Sequence, residues 1–247
     1  MQSHTHLILP LHRSSLLCCN KTPQQILQQL MAGRVVLESL TVIEGSRFED
    51  LRRALEQHPH VTHTLRGLSD AQVMTAIGHD GEHAEGRFFP DTYRFSGTNP
   101  TANVATMLTN FGTKYTPEMR ERTSEMGLTI EQVLTVASLV EREAKLPEER
   151  PTIADVYLSR WEEGWRMEAD PTVQYVLGTP QDWWPKLTGD DLFVESPYNT
   201  YQNDGLPPGP IANPGFASIQ AVLFPNDTPY MYFVAMGDSG DLWTHLV

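Results

Sequence analysis

The stretch Leu128 to Lys145 constrains this chain more than any other. Thr129 followed three residues later by Gln132, just after Gly127, is a capping-box start for a helix. Ile130, Val133, Leu134, Ala137, Val140 and Ala144 then recur at helical spacing. At roughly 100° per residue they form one apolar stripe, and Glu141 falls inside it. Arg142, Glu143 and Lys145 fall outside, where solvated charges belong. A carboxylate on a buried helix face costs free energy unless it is paired, hydrogen-bonded or kept protonated. Two readings of Glu141 follow: an internal ion pair with an arginine such as Arg150 or Arg160, or a general acid.

A length of 247 residues allows one large domain or two small ones with a sizeable core. The content, 40% hydrophobic and 20% charged, is that of a globular chain rather than a disordered one. A net charge of −13 with no cluster of Lys and Arg excludes nucleic acid as the main partner, and an anionic membrane surface would repel it. Cys18 and Cys19 are adjacent and near the start, so they cannot staple a core. No apolar run reaches the ~20 residues of a membrane helix. Apolar patches between Met1 and Cys19 are interrupted by His4, His6, Pro10, His12 and Arg13, so residues 1–20 read as a poorly ordered or non-native leader.

Taken in order, Thr22-Pro23 with Ile26, Leu27 and Leu30 opens a short helix stopped at Gly33. Val35 to Leu37 and Leu40 to Ile43 suggest a strand or hairpin ending at Glu44-Gly45. Phe48, Leu51 and Leu55 give a second helix, closing a small α+β module. Ser69 caps a helix to Ile77, with Leu68, Val73, Met74 and Ile77 as candidate core residues. His79 and His83, and likewise His58, His60 and His63, lie among loop-forming residues and read as solvated, so no metal site is expected. Arg87 to Phe95 reads as two extended aromatic pieces plugging a core across a turn. Thr101 to Met126 supplies a polar helical region broken at Pro117.

Past the central helix, Pro151 starts another, with Ile153, Val156, Tyr157, Arg160 and Trp161 on one face and a stop at Gly164. Asp170 is a candidate cap of a helix running to Leu177. Ser196 to Gly215 is too rich in proline and glycine for regular structure. It reads as a rigid surface loop displaying Tyr198, Asn199, Thr200 and Tyr201, a wall suited to sugars. A helix at Phe216 to Leu223 and a strand at Tyr230 to Ala235 follow, with a turn at Gly237 to Gly240.

An ordered series of motifs carries a resemblance. Thr41-Val-Ile-Glu-Gly45, Phe88-Phe-Pro-Asp-Thr-Tyr93, Leu139-Val-Glu-Arg-Glu-Ala144, Ala169-Asp-Pro-Thr-Val173, Tyr198-Asn-Thr-Tyr201, Gly205 to Gly215 and Pro229 to Ala235 together resemble the endolytic murein transglycosylase family of the YceG-like type. It implies an α+β fold: a leader at 1–20, part of a small LysM-like α+β module at 21–66, and a mixed α/β catalytic domain at 67–247 with a central helix carrying the catalytic glutamate.

By this resemblance Glu141 is the catalytic acid of a lytic transglycosylase that cuts the β-1,4 bond between N-acetylmuramic acid and N-acetylglucosamine, leaves 1,6-anhydro ends and terminates nascent strands. Asp170, Thr172, Gln174, Tyr198, Asn199, Thr200 and Tyr201 are the implied substrate-binding residues, and Glu143, Arg150, Arg160 and Glu168 supporting ones. No cofactor is implied. The resemblance further implies peptidoglycan strands as the partner, expected beside peptidoglycan synthases, in the bacterial periplasm or on the outer face of the cytoplasmic membrane. The chain departs from the family at Arg142 and Ala144, where Lys and Thr are usual, and at Met167-Glu168-Ala169. By the same resemblance, a membrane helix, the first part of the LysM-like module and a C-terminal helix are expected to be missing from this chain. A non-catalytic peptidoglycan-binding protein of the same fold is the alternative.

Overall fold

The computed structural model describes residues 22–31, 38–59, 61, 65–95, 99–236 and 241–243. The expected leader with its two cysteines, the run Val35 to Leu37, His60, His63 and the turn Gly237 to Gly240 lie outside them. In chain order the elements are α1 (Pro23–Met31), β1 (Glu38–Val42), α2 (Phe48–Gln57), α3 (Asp70–Ala76), β2 (Asp91–Phe95), α4 (Pro100–Lys114), α5 (Pro117–Glu125) and α6 (Ile130–Glu143). They continue as α7 (Arg150–Glu162), α8 (Asp170–Leu177), α9 (Phe216–Leu223), β3 (Val234–Met236) and β4 (Asp241–Trp243). Helices dominate and the sheets are small and antiparallel, an α+β arrangement.

Two clusters of buried side chains organise these elements. The first runs from Val42 to Leu108 and gathers Phe48, Leu51 and Leu55 of α2, Val73 and Met74 of α3, and Val104, Met107 and Leu108 of α4. The division expected at residue 66 falls inside this cluster. The second is built on α6 with Ile153, Ala154 and Tyr157 of α7 and Ile219, Val222 and Leu223 of α9. Consecutive residues Phe88 and Phe89 turn to opposite clusters, so the aromatic-dense segment joins the two cores.

The predicted strand before Glu44 forms as β1, but its partner is not a hairpin neighbour. It pairs antiparallel with β2, Leu40 opposite Tyr93 and Thr41 opposite Thr92, where the two hydroxyls lie 3.0 Å apart. Cross-strand packing against the Phe88–Phe95 aromatics outweighs local turn preference here. The region from Thr101 is two helices, and α4 is less polar than its composition suggests. Thr106, Thr109 and Thr113 each return their hydroxyls to a carbonyl one turn back, leaving Val104, Met107, Leu108 and Phe111 to the cores. The strand expected at Tyr230 begins only at Val234, and it pairs with β4, which periodicity did not indicate.

Around α6 the burial is wider than one stripe. Every residue from Val133 to Val140 is buried, because α5, α7, α8 and α9 all pack against this helix. Thr135 and Ser138 can enter the core because their hydroxyls donate within the helix, to the carbonyls of Glu131 at 2.8 Å and Thr135 at 2.7 Å. The Ser138 hydroxyl also accepts the amide of Ile211 at 3.0 Å, fixing the proline-rich loop to the helix. Arg142 and Glu143, expected in solvent, are half-buried under flanking segments.

Two outcomes test this packing. Leu139 is fully buried in the second cluster, so Leu139→Ala should lower the unfolding free energy by about 2–5 kcal/mol in denaturant titrations. Glu85 is buried in the first, where it accepts the Phe48 amide at 2.9 Å at the start of α2, and burial pushes its carboxyl up to about 8. A carboxyl raised in the folded state holds its proton longer than the unfolded chain does. Its contribution is therefore complete at low pH and lost as pH rises from the ordinary carboxyl value of 4.5 through about 8. Glu85→Gln keeps an acceptor for Phe48, so its melting temperature relative to wild type should climb across that window; parallel curves would contradict this.

Candidate active site

Glu141 lies in the last turn of α6, where the helix meets the end of the proline-rich loop and the start of α9. Its side chain is 7% exposed. Oε2 accepts the Gly215 amide at 2.9 Å and the Ser218 hydroxyl at 2.7 Å. Oε1 faces the Arg150 guanidinium, with Nη2 at 3.5 Å, and Arg150 Nε donates to the Ser218 hydroxyl at 3.0 Å. Gly215 is the N-cap residue of α9, so the carboxylate sits at a helix N-terminus, whose free amides and dipole favour negative charge. The surroundings are donors rather than an apolar pocket. Of the two arginines considered as partners, Arg150 pairs with Glu141. Arg160 is buried elsewhere, donating to the carbonyls of Met231 at 2.6 Å and Met167 at 2.7 Å.

A third segment reaches the same place from the first cluster. Gly45 donates its amide to the Asn213 carbonyl at 2.9 Å, and Asn213 returns its own amide to the Ser46 carbonyl at 2.8 Å. The Asn213 side chain accepts the Phe88 amide at 3.0 Å and donates to Ser46 at 3.0 Å. Gly45 has φ +72°, and a Cβ there would stand 3.0 Å from Arg142 Nη1 and 3.8 Å from Glu141 Cγ. The positive φ favours glycine, and a Cβ would also crowd the Arg142 guanidinium. At Gly215 the space a Cβ would need is filled by the Glu44 carboxyl.

Next to this junction stands a wall of arginines and aromatic rings. The Arg142 guanidinium lies 3.9 Å from the Trp184 ring centre, and Arg47 lies 4.1 Å from that of Tyr175 and 4.4 Å from that of Trp183. Tyr175 and Tyr198 are 4.9 Å apart. Gln174 donates to the Pro185 carbonyl at 3.0 Å, fixing the loop that carries both tryptophans. Trp183 Nε1 donates to Asp50 at 2.5 Å, tying that loop to α2.

Other predicted site residues take internal roles. Asn199 and Thr200, expected on display, are buried: Asn199 donates to the carbonyls of Leu192 at 3.0 Å and Val194 at 2.8 Å, and Thr200 pairs with Thr172 at 2.9 Å. Thr172, also buried, donates to the Ala169 carbonyl at 2.7 Å. A loop with so many prolines lacks amides for regular pairing, so its side chains supply the hydrogen bonds instead. Asp170 is the first helical residue of α8 rather than its cap, which is Ala169. Its carboxylate accepts the Tyr201 hydroxyl at 2.7 Å, and both residues reach the surface. Glu168 is exposed with φ +47°, and its charge acts on Tyr201.

Glu143, expected as a supporting or solvated charge, accepts the Tyr157 hydroxyl at 3.1 Å. Burial, with Asp170 nearby, pushes its carboxyl up to about 7. The structure thus groups Glu141 with Arg150, and Glu143 with Tyr157, Asp170 and Tyr201. Sequence reasoning missed Glu44, Asn213, Gly215, Ser218 and Trp184 as neighbours of Glu141. The signals were the two glycine-ending motifs at Gly45 and Gly215, which ask for close backbone approach. Among the described residues, no group of three His, Cys, Asp or Glu is placed to hold a metal ion.

Known proteins resemble this chain in sequence and in fold. The YceG-like family model matches residues 16–245. The endolytic murein transglycosylase of Bacillus subtilis (strain 168) is 35% identical over 237 residues, covering 89% of this chain and 65% of that protein. That of Streptococcus pneumoniae serotype 2 (strain D39) is 31% identical over 164 residues, 64% of this chain and 29% of that protein. The chain therefore spans just under two thirds of the first relative's length and under a third of the second's. A crystal structure of a YceG-like protein from Listeria monocytogenes superimposes with a TM-score of 0.74 at 28% identity, covering 90% of this chain and 78% of that one. The ordered motifs, the shared fold and the match along almost the whole chain lead to one conclusion: this chain belongs to the YceG-like family.

Proposed function

We propose that the chain is the catalytic part of an endolytic lytic transglycosylase that cuts glycan strands of peptidoglycan at the β-1,4 bond between N-acetylmuramic acid and N-acetylglucosamine. The observation that carries this reading is the seating of Glu141, a nearly buried carboxylate held through Oε2 by Gly215 and Ser218, with Oε1 facing the Arg150 guanidinium at 3.5 Å. The activity in the names of the Bacillus and Streptococcus relatives supports it. Protonated Glu141 donates to the glycosidic oxygen as the bond to the muramoyl C1 breaks. The carboxylate then takes the proton from the C6 hydroxyl of the same sugar as that oxygen bonds to C1. A 1,6-anhydro end results, and no water is consumed.

Tyr198, Tyr201 and Asp170, which lie toward the surface, and the ring of Trp184 are the groups that meet the sugars in this reading, with Gln174 holding the tryptophan loop in place. The unit built on β1 and α2 is a LysM-like part that steadies the strand. Such an enzyme works outside the cytoplasm, beside the synthases whose strands it terminates. Among the described residues no helix is long and apolar enough to cross a membrane.

One observation favours a second reading. Gly215, Ser218 and Arg150 together satisfy Glu141 as a structural cap of α9 would require, which fits a protein that binds peptidoglycan without cutting it. Glu141→Gln separates the two. It keeps the shape of the side chain and cannot donate an acid proton. Cleavage followed by mass spectrometry of the strands should fall by at least about 100-fold in this variant, with glycan binding retained. Wild-type rates in the variant would contradict the assignment, and binding without product in wild type would establish the second reading.

A further inference from the structure

Glu44 is the residue the mechanism above leaves unused. It is the last residue before Gly45 in the segment Thr41 to Gly45, is exposed, and among the described residues has no hydrogen bond or ion pair. An exposed glutamate is ordinarily a solvated charge with no fixed place. This one is wedged. Its carboxyl occupies the space a Cβ on Gly215 would need, and its neighbour Gly45 is fixed to Asn213 by a backbone hydrogen bond of 2.9 Å. Gly215 in turn gives its amide to Glu141 at 2.9 Å. One glycine residue is therefore all that separates the two carboxyl groups, which bounds their oxygens at no more than roughly 8 Å apart. That is within the span by which paired carboxylates flank a scissile glycosidic bond.

We propose that Glu44 is a second carboxylate of this active site, one that faces the muramoyl ring and stabilises the positive charge that develops there as Glu141 protonates the leaving oxygen. The proposal rests on the reading of Glu141 as the acid. Bond breaking at C1 leaves an oxocarbenium-like ring that carries a cation until the C6 oxygen closes on it. A negative charge beside that ring lowers the barrier without forming a bond, and it needs no proton or water of its own. Two glycines make the placement possible. Gly45 lets the strand end turn past Arg142 and Glu141, and Gly215 leaves room for the carboxyl itself. Arg142 Nη1 lies on the Gly45 side and its guanidinium stacks on Trp184, so it does not neutralise Glu44 by an ion pair among the described contacts.

Steady-state cleavage of purified glycan strands by the whole chain tests this, with Glu44→Gln, Gly215→Ala, the double variant and Glu141→Gln measured side by side. Gly215 has φ −71°, so alanine fits its backbone and keeps the amide for Glu141 while its methyl group displaces the flexible Glu44 carboxyl. Glu44→Gln should lower kcat by roughly 10- to 100-fold with KM and melting temperature unchanged. Gly215→Ala should do the same, and the double variant should lose no more than either alone, since both remove one charge from one place. Wild-type kcat in Glu44→Gln beside an inactive Glu141→Gln would overturn the role of Glu44 and leave the acid in place. A loss confined to KM would make Glu44 a ground-state contact and overturn it equally. Full activity in Glu141→Gln would overturn the reading beneath it.

Discussion

The structure depends on the hydrogen bonds of one buried asparagine. Asn213 exchanges main-chain bonds with Gly45 and Ser46 and uses its side chain for Ser46 and Phe88, so it binds the end of β1, the aromatic segment and the start of α9 at once. Each of these segments belongs to a different part of the chain, and without a common partner each would leave polar backbone groups buried and unpaired. The two hydrophobic clusters meet at this junction. Glu141 is placed here because Gly215, two residues on, delivers its amide to the carboxylate.

Burial at α6 explains why this site can be both stable and polar. The helix is enclosed from Val133 to Val140, which fixes the position of its last turn closely. Glu141 is then held by groups of α7 and α9, the two helices that pack on α6, so the packing that buries the apolar side chains also aims Arg150 and Ser218 at the carboxylate. Two residues further on, Glu143 has one hydroxyl partner in Tyr157 and a second carboxylate nearby, and its proton is held up to about 7 mainly by burial. Neighbouring glutamates on one helix thus have different surroundings because one points to a helix N-terminus and the other to a tyrosine.

Much of this was legible in the sequence where the signal was local. The caps at Ser69 and Thr129, the prolines opening α5 and α7 and the periodicity of α6 and α7 mark elements whose stabilising groups lie within a turn of each other. Glu141 stood out because a charge inside an apolar stripe contradicts its surroundings. Contacts between distant segments were not legible. The pairing of β1 with β2, the approach of Glu44 to Gly215 and the stacking of Arg142 on Trp184 join residues from 42 to 171 positions apart, and periodicity carries no such information. The burial of Asn199, Thr200 and Thr172 was hidden for another reason. Polar side chains read as surface, unless one counts the backbone groups that a proline-rich loop leaves for them to satisfy.

For the cleavage proposed above, the central chemical question is whether the muramoyl C6 hydroxyl or a water molecule closes the reaction. Cleavage of glycan strands in water enriched in oxygen-18, read by mass spectrometry of the new ends, answers it most directly. Intramolecular closure predicts 1,6-anhydro ends that carry no label. One labelled oxygen at each new reducing end would contradict transglycosylation and make this chain a hydrolase.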